Sequence, residues 1–119
     1  MEYSICIIST RAPYNGQFAR EALDAALVSA SYDIDTHLLM MGDGVFQLIK
    51  GQDSTQVDRK NFSSMLKALP LYGVDEIHVD QASLDACGLK LGELLDGVVA
   101  LKTEELPMFI QQHTRVLNF

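Results

Sequence analysis

The chain has no tryptophan, three prolines, two cysteines and nine basic residues in 119. Scarcity of lysine and arginine is the most restrictive of these. Sixteen acids outnumber them and leave a net charge of −7. A chain that grips tRNA or DNA by itself carries a basic patch that displaces phosphate counterions. The densest basic pair here is Arg59-Lys60, which argues against direct nucleic-acid binding by this chain alone. Cys6 and Cys87 are far apart and lack CxxC spacing, so neither a disulfide framework nor a redox motif is expected. His37, His78 and His113 stand alone in sequence, and no metal-ligand spacing occurs. No apolar run approaches the roughly 20 residues that a membrane-spanning helix needs. The N-terminus runs directly into a strand without the basic region of a signal peptide, and a cytoplasmic address is expected by default.

What is present suits a folded α/β protein. Apolar residues make up 48% and charged residues 21%, enough to build a core without metal or disulfides, and the length suits one domain over 1–119. Strands are predicted over 2–10, 34–41, 76–79, 97–101 and 116–119. Pro13-Tyr14-Asn15-Gly16 reads as a turn. Residues 17–31 read as a helix in which Ala22, Ala25 and Ala26 allow close approach to a sheet. Leu38-Leu39-Met40-Met41 has no alternation, as in a strand buried on both faces. Gly42 and Gly44 bracket Asp43, which permits a sharp turn and close approach of another surface. Val45, Phe46, Leu48 and Ile49 then form a turn that is too apolar for water.

Residues 50–58 are polar and read as a mobile loop. Phe62, Met65, Leu66 and Leu69 recur at helical spacing before Pro70 and Gly73. A short helix over 81–87 stops at Gly88. Thr103 is predicted to cap the last helix, with Glu104 and Glu105 favouring its positive end. Alternating strands and helices imply an open, mostly parallel five-stranded sheet with helices on both faces, of the flavodoxin/Rossmann type. The expected strand order is 2-1-3-4-5, with the final strand inside the sheet or at a subunit contact.

Particular stretches carry a family resemblance over the whole chain. They are Arg20-Glu21-Ala22-Leu23-Asp24-Ala25, Gly42-Asp43-Gly44-Val45-Phe46-Gln47-Leu48, and Leu71-Tyr72-Gly73-Val74. Ala82-Ser83-Leu84 with Gly88-Leu89, and Val116-Leu117-Asn118-Phe119, complete the set. In these the chain resembles the DsrE/F-like sulfur-relay family, in its TusC/DsrF branch. The resemblance implies a DsrEFH-like fold and a subunit of a heterohexamer with two copies each of TusB-, TusC- and TusD-like chains. Such complexes meet TusA- and TusE-like carriers and pass persulfide sulfur toward 2-thiouridine at the tRNA wobble position. The similar DsrEFH assembly serves sulfur oxidation. No cofactor is implied.

In the family the sulfur-carrying cysteine belongs to the TusD/DsrE subunit, at the start of the helix after the third strand. That position here is Asp80, and a carboxylate cannot carry sulfane sulfur. Asp80 reads as a structural N-cap, or as a remnant that recognises a partner. Cys87 is the alternative thiol, but it lies near the C-terminal end of the same helix, where the dipole disfavours a thiolate. Cys6, between two isoleucines, reads as a small buried hydrophobe.

Other candidates have plain alternatives. His78 could orient a group at its strand's end or be a satisfied, partly buried side chain. Thr10 and Arg11 could hold an anion, yet neither GxGxxG nor GxxxxGK(S/T) is present and a plain loop is the better reading. Asp43, Val45, Phe46 and Leu48 are the candidate interface; Phe46 and Leu48 are core or interface, and the polar loop that follows favours interface. The leading expectation is a non-catalytic subunit. Its rivals are an autonomous persulfide carrier using Cys87, and a nucleotide or flavin module resting on fold analogy alone.

Overall fold

The computed structural model describes residues 3–12, 17–49, 65–74 and 76–119. The turn expected at 13–16, the loop at 50–58 and the helix start near Phe62 lie outside them. Five strands, β1 (Ser4–Ser9), β2 (Asp35–Met40), β3 (Ile77–Asp80), β4 (Val98–Leu101) and β5 (Arg115–Asn118), form one all-parallel sheet. The helices described in full are α1 (Phe18–Ser31), α2 (Gln81–Ala86) and α3 (Leu106–Gln111). Residues 65–68 are helical and run into a 3-10 turn, Leu69–Tyr72. None of the described helices is long and apolar enough to cross a membrane.

The strand order is β4-β3-β2-β1-β5, which corrects the expected 2-1-3-4-5. From β1 to β4 the chain steps in one direction, each strand beside its predecessor, and only β5 returns to the far edge beside β1. Parallel crossovers are right-handed, so steps in one direction put their connections on one face and a reversed step uses the other. Accordingly, among the described residues, α1, residues 65–72 and α2 cover one face and α3 covers the second.

Register separates the two cores. On the first face Ile5, Ile7, Leu38, Met40, Ile77 and Val79 pack with Ala19, Ala22, Leu23 and Ala26 of α1 and with Leu69 and Leu84. The alanines allow α1 to lie close to the strands, as its sequence predicts. On the second face Cys6, Ile8, Leu39 and Leu101 meet Leu106 and Phe109 of α3, with Met41 and Ile110 packed at the margin.

One cap differs from expectation, and of the two places expected for the final strand the sheet interior is excluded. Thr103 does not cap α3: Lys102 precedes a 3-10 turn (Thr103–Glu105), and Glu105 Oε1 accepts the Lys102 N–H at 2.9 Å. The glutamate half of a capping box thus satisfies the Lys102 N–H, and the Glu105 N–H donates to the Lys102 carbonyl at 2.9 Å with no help from Thr103. The last strand, β5, is an edge strand with exposed side chains, although Phe119 remains tied in: its N–H donates to Ile8 O, and its carbonyl accepts from the Thr10 N–H and hydroxyl.

Candidate functional site

At the carboxyl ends of β3 and β4 the chain leaves toward opposite faces, to α2 and to α3. Open α/β sheets hold ligands outside such a divergence. Asp80 ends β3, opposite Leu101 of β4, and is 7% exposed. It occupies the N-cap position of α2, but its carboxylate makes no bond to the helix backbone. Instead Oδ2 accepts the Ser83 hydroxyl at 2.6 Å, and Ser83 Oγ accepts the Gly42 N–H at 2.9 Å. Asp80 therefore fastens the loop after β2 to α2 through Ser83, a relay that the expected direct cap did not include.

The glycine turn after β2 is tight for an identifiable reason. Gly42 has φ +53, in the left-handed region. Gly44 passes close to the backbone of Ser9, so the surface that its missing side chain admits is the chain's own first strand. Gly42–Leu48 is a 3-10 helix that turns inward. Val45 and Leu48 are fully buried in the first core, which corrects their assignment to an interface. They reach the core because Gln47 anchors the turn from within: its Nε2 donates to Ser9 Oγ at 2.7 Å and to Arg11 O at 2.9 Å. Farther along, Leu95 N–H donates to Leu48 O at 2.8 Å. Phe46 is only partly buried against this core, and Asp43 is exposed. These two stay at the surface.

Thr10 and Arg11 serve the chain itself. The Thr10 hydroxyl donates to Phe119 O, and the Arg11 guanidinium lies 5.0 Å from the centre of the Phe18 ring, a cation–π distance. Cys6 is fully buried, and burial pushes its thiol up to about 11. Cys87 follows α2 as its C-cap and is partly buried against the first core.

The histidines, isolated in sequence, gather in space. His37 on β2, His78 on β3 and His113 beyond α3 surround Phe109 on the second sheet face. Ring centres lie 4.5 Å apart for His37–His113 and 5.9 Å for His37–His78, while Phe109 is 4.4 Å from His78 and 5.0 Å from His113. His37 donates to Asp35 at 3.0 Å. Burial first, and the neighbouring His37 second, hold both His78 and His113 below the ordinary histidine range. Among the described residues no three His, Cys, Asp or Glu side chains have metal-holding geometry. Alternation along β2 and β3 could have shown that His37 and His78 share a face, but only with the correct strand order in hand.

The fold and this site define a parallel α/β protein with a buried carboxylate at the carboxyl end of its third strand. The chain belongs to the DsrE/DsrF-like family, whose model matches residues 3–119. It is 37% identical to a protein TusC homolog of Pseudomonas aeruginosa over 99% of both chains. It is 39% identical to the intracellular sulfur oxidation protein DsrF of Allochromatium vinosum, covering 82% of this chain and 73% of that one. The crystal structure of the ychN protein from E. coli superimposes with a TM-score of 0.85 at 25% identity, over 98% of this chain and 99% of that one.

Proposed function

We propose that this chain, a single domain over residues 1–119, is the non-catalytic subunit of a cytoplasmic TusBCD-like heterohexamer that passes persulfide sulfur toward 2-thiouridine at the tRNA wobble position. Asp80 carries the reading. The position at which the resemblance expects a sulfur-bearing cysteine holds a carboxylate already bound to Ser83. A carboxylate forms no persulfide, so this chain contributes surface, and the sulfur resides on the TusD-like partner. Exposed Asp43 and partly buried Phe46, on the turn next to Asp80, are the contact residues we assign. The net charge of −7 fits a subunit that meets protein partners and leaves RNA to others. The DsrF relative supports a second reading, the equivalent subunit of a DsrEFH-type complex in sulfur oxidation.

Native mass spectrometry of this chain co-expressed with TusB- and TusD-like subunits, with a persulfide donor added, tests the proposal. The expected result is a complex with two copies of each subunit whose added sulfur sits on the TusD-like chain and is unchanged by Cys87→Ser. Asp43→Arg and Phe46→Asp should dissociate it; Asp43→Arg alters an exposed side chain and so tests the contact if Phe46→Asp impairs folding. A sulfur adduct on this chain that disappears in Cys87→Ser would make it a carrier in its own right and end the scaffold reading. Assembly with DsrE- and DsrH-like chains in preference to the Tus-like pair would select the sulfur-oxidation branch.

A further inference from the structure

All three histidines of the chain meet under α3, which covers the second sheet face among the described residues. Phe109 of α3 is wedged among their rings. Immediately after α3, His113 and Thr114 tie the chain to the start of β1. Ser4 N–H donates to Thr114 Oγ1 at 3.1 Å, Thr114 N–H donates to Ser4 Oγ at 3.3 Å, and His113 Nδ1 lies 3.2 Å from the same hydroxyl. The Ser4 oxygen accepts from Thr114, and its hydroxyl pairs with His113 Nδ1 in whichever direction the ring tautomer sets. His78 Nδ1 and His113 Nε2 are buried and have no hydrogen-bond partner. The rings therefore fit this site when uncharged.

We propose that His37, His78 and His113 form a pH-operated latch, which holds residues 106–118 against the sheet while the rings are neutral and releases that unit when they are protonated. Protonation puts like charges on rings that are in contact and places them in a site where His78 Nδ1 and His113 Nε2 have no hydrogen-bond partner. The surroundings offer little to offset those charges. β1 contributes Ser4 and Cys6, and the Cys6 thiol stays neutral. β4 places Val99 opposite His78. The acids acting on the rings are Asp35, bonded to His37, and Glu76, ahead of β3; both are exposed, so water screens them. Of the Asp80 carboxylate, two residues beyond His78, Oδ2 accepts from Ser83 and Oδ1 is buried without a hydrogen-bond partner. α3 carries no ionisable side chain, and Arg115 pairs in register with Ile5, on the opposite face.

Release is confined to this unit by construction. α3 is short, and β5 is an edge strand paired only to β1. The first core, with α1, contains no histidine. Local opening of such a unit need not involve the rest of the fold.

Hydrogen–deuterium exchange of the full chain between pH 7.5 and 5.0, corrected for intrinsic rates, tests the latch. The ratio of exchange in 106–118 to that in α1 should rise about tenfold or more on acidification, the effect of one pH unit of differential protonation. The rise should be absent in the double variant His78→Gln/His113→Gln. If that variant does not fold at pH 7.5, His37→Gln, which removes the partly exposed ring common to both contacts, should hold the rise below about threefold. A ratio independent of pH in the wild type overturns the latch, as does a full rise in the variants.

Discussion

A Cβ on Gly44 would lie 2.1 Å from the Ser9 carbonyl oxygen and 2.9 Å from its carbon, both main-chain atoms of a central strand. Neither can move without disturbing β1, and the bond from Met41 N–H to Ser9 O would be lost with them. Gly44→Ala is therefore expected to cost about 3 kcal/mol or more, at the upper end of overpacking effects. In a chain of this size that corresponds to a fall of roughly 10–15 °C in Tm, readable by differential scanning calorimetry. A shift below about 2 °C would mean that the turn relaxes away from Ser9. The two glycines were legible as a tight turn, but the sequence held no sign of which surface they approach. Gln47 was missed for a related reason. A polar residue in an apolar turn reads as solvent-facing, and its burial follows only once Ser9 and Arg11 are placed beside it as acceptors.

The element that governs the second face is α3. Six residues cannot hold a helix in water, so α3 persists through what it packs against. Leu106 and Phe109, one turn apart, are its buried residues, and each is 9% exposed. Phe109→Ala should cost about 2–4 kcal/mol, below the full value for a deeply enclosed phenylalanine because the site is shallow. Urea denaturation of the variant checks this; a loss under about 1 kcal/mol would show that this face contributes little to stability. The strands and helices themselves were readable within a residue or two, because unalternating apolar runs and alanine-rich helical spacing are local signals. Their order was not. Which way each crossover steps depends on how whole elements pack, and a doubly wound order satisfies the same local patterns. That single difference hid the thin second face and the meeting of the three histidines. The place of Asp80 at the end of β3 and the start of α2 was legible because a strand-to-helix junction is a local signal, while its bond to Ser83 depends on side-chain geometry.

At the scale of the molecule, the histidine face couples the whole fold to pH through a sign that can be worked out. His78 and His113 are held below the ordinary value of 6.5 in the folded chain and return to it on unfolding. Between their folded values and 6.5 the unfolded state binds more protons. Stability then rises with pH across that window, is complete above it, and is lost as pH falls through it. Each ring contributes at most about 1.4 kcal/mol per pH unit, and their sum is the upper bound because the rings share His37 as a neighbour. Denaturant midpoints measured from pH 8 to 5 should be flat above about 7 and then decline, at a salt concentration high enough to damp the repulsion among the excess acids. Replacing both rings, His78→Gln/His113→Gln, should flatten the decline near pH 6 whatever the variant's absolute stability. A decline of equal slope in that variant would assign the acid sensitivity to the carboxylates instead. The arrangement places the pH-sensitive groups on the face that α3 covers and leaves α1 and the buried side of the Gly42–Leu48 turn in the first core, so the turn that carries Asp43 and Phe46 keeps its shape while α3 and β5 respond.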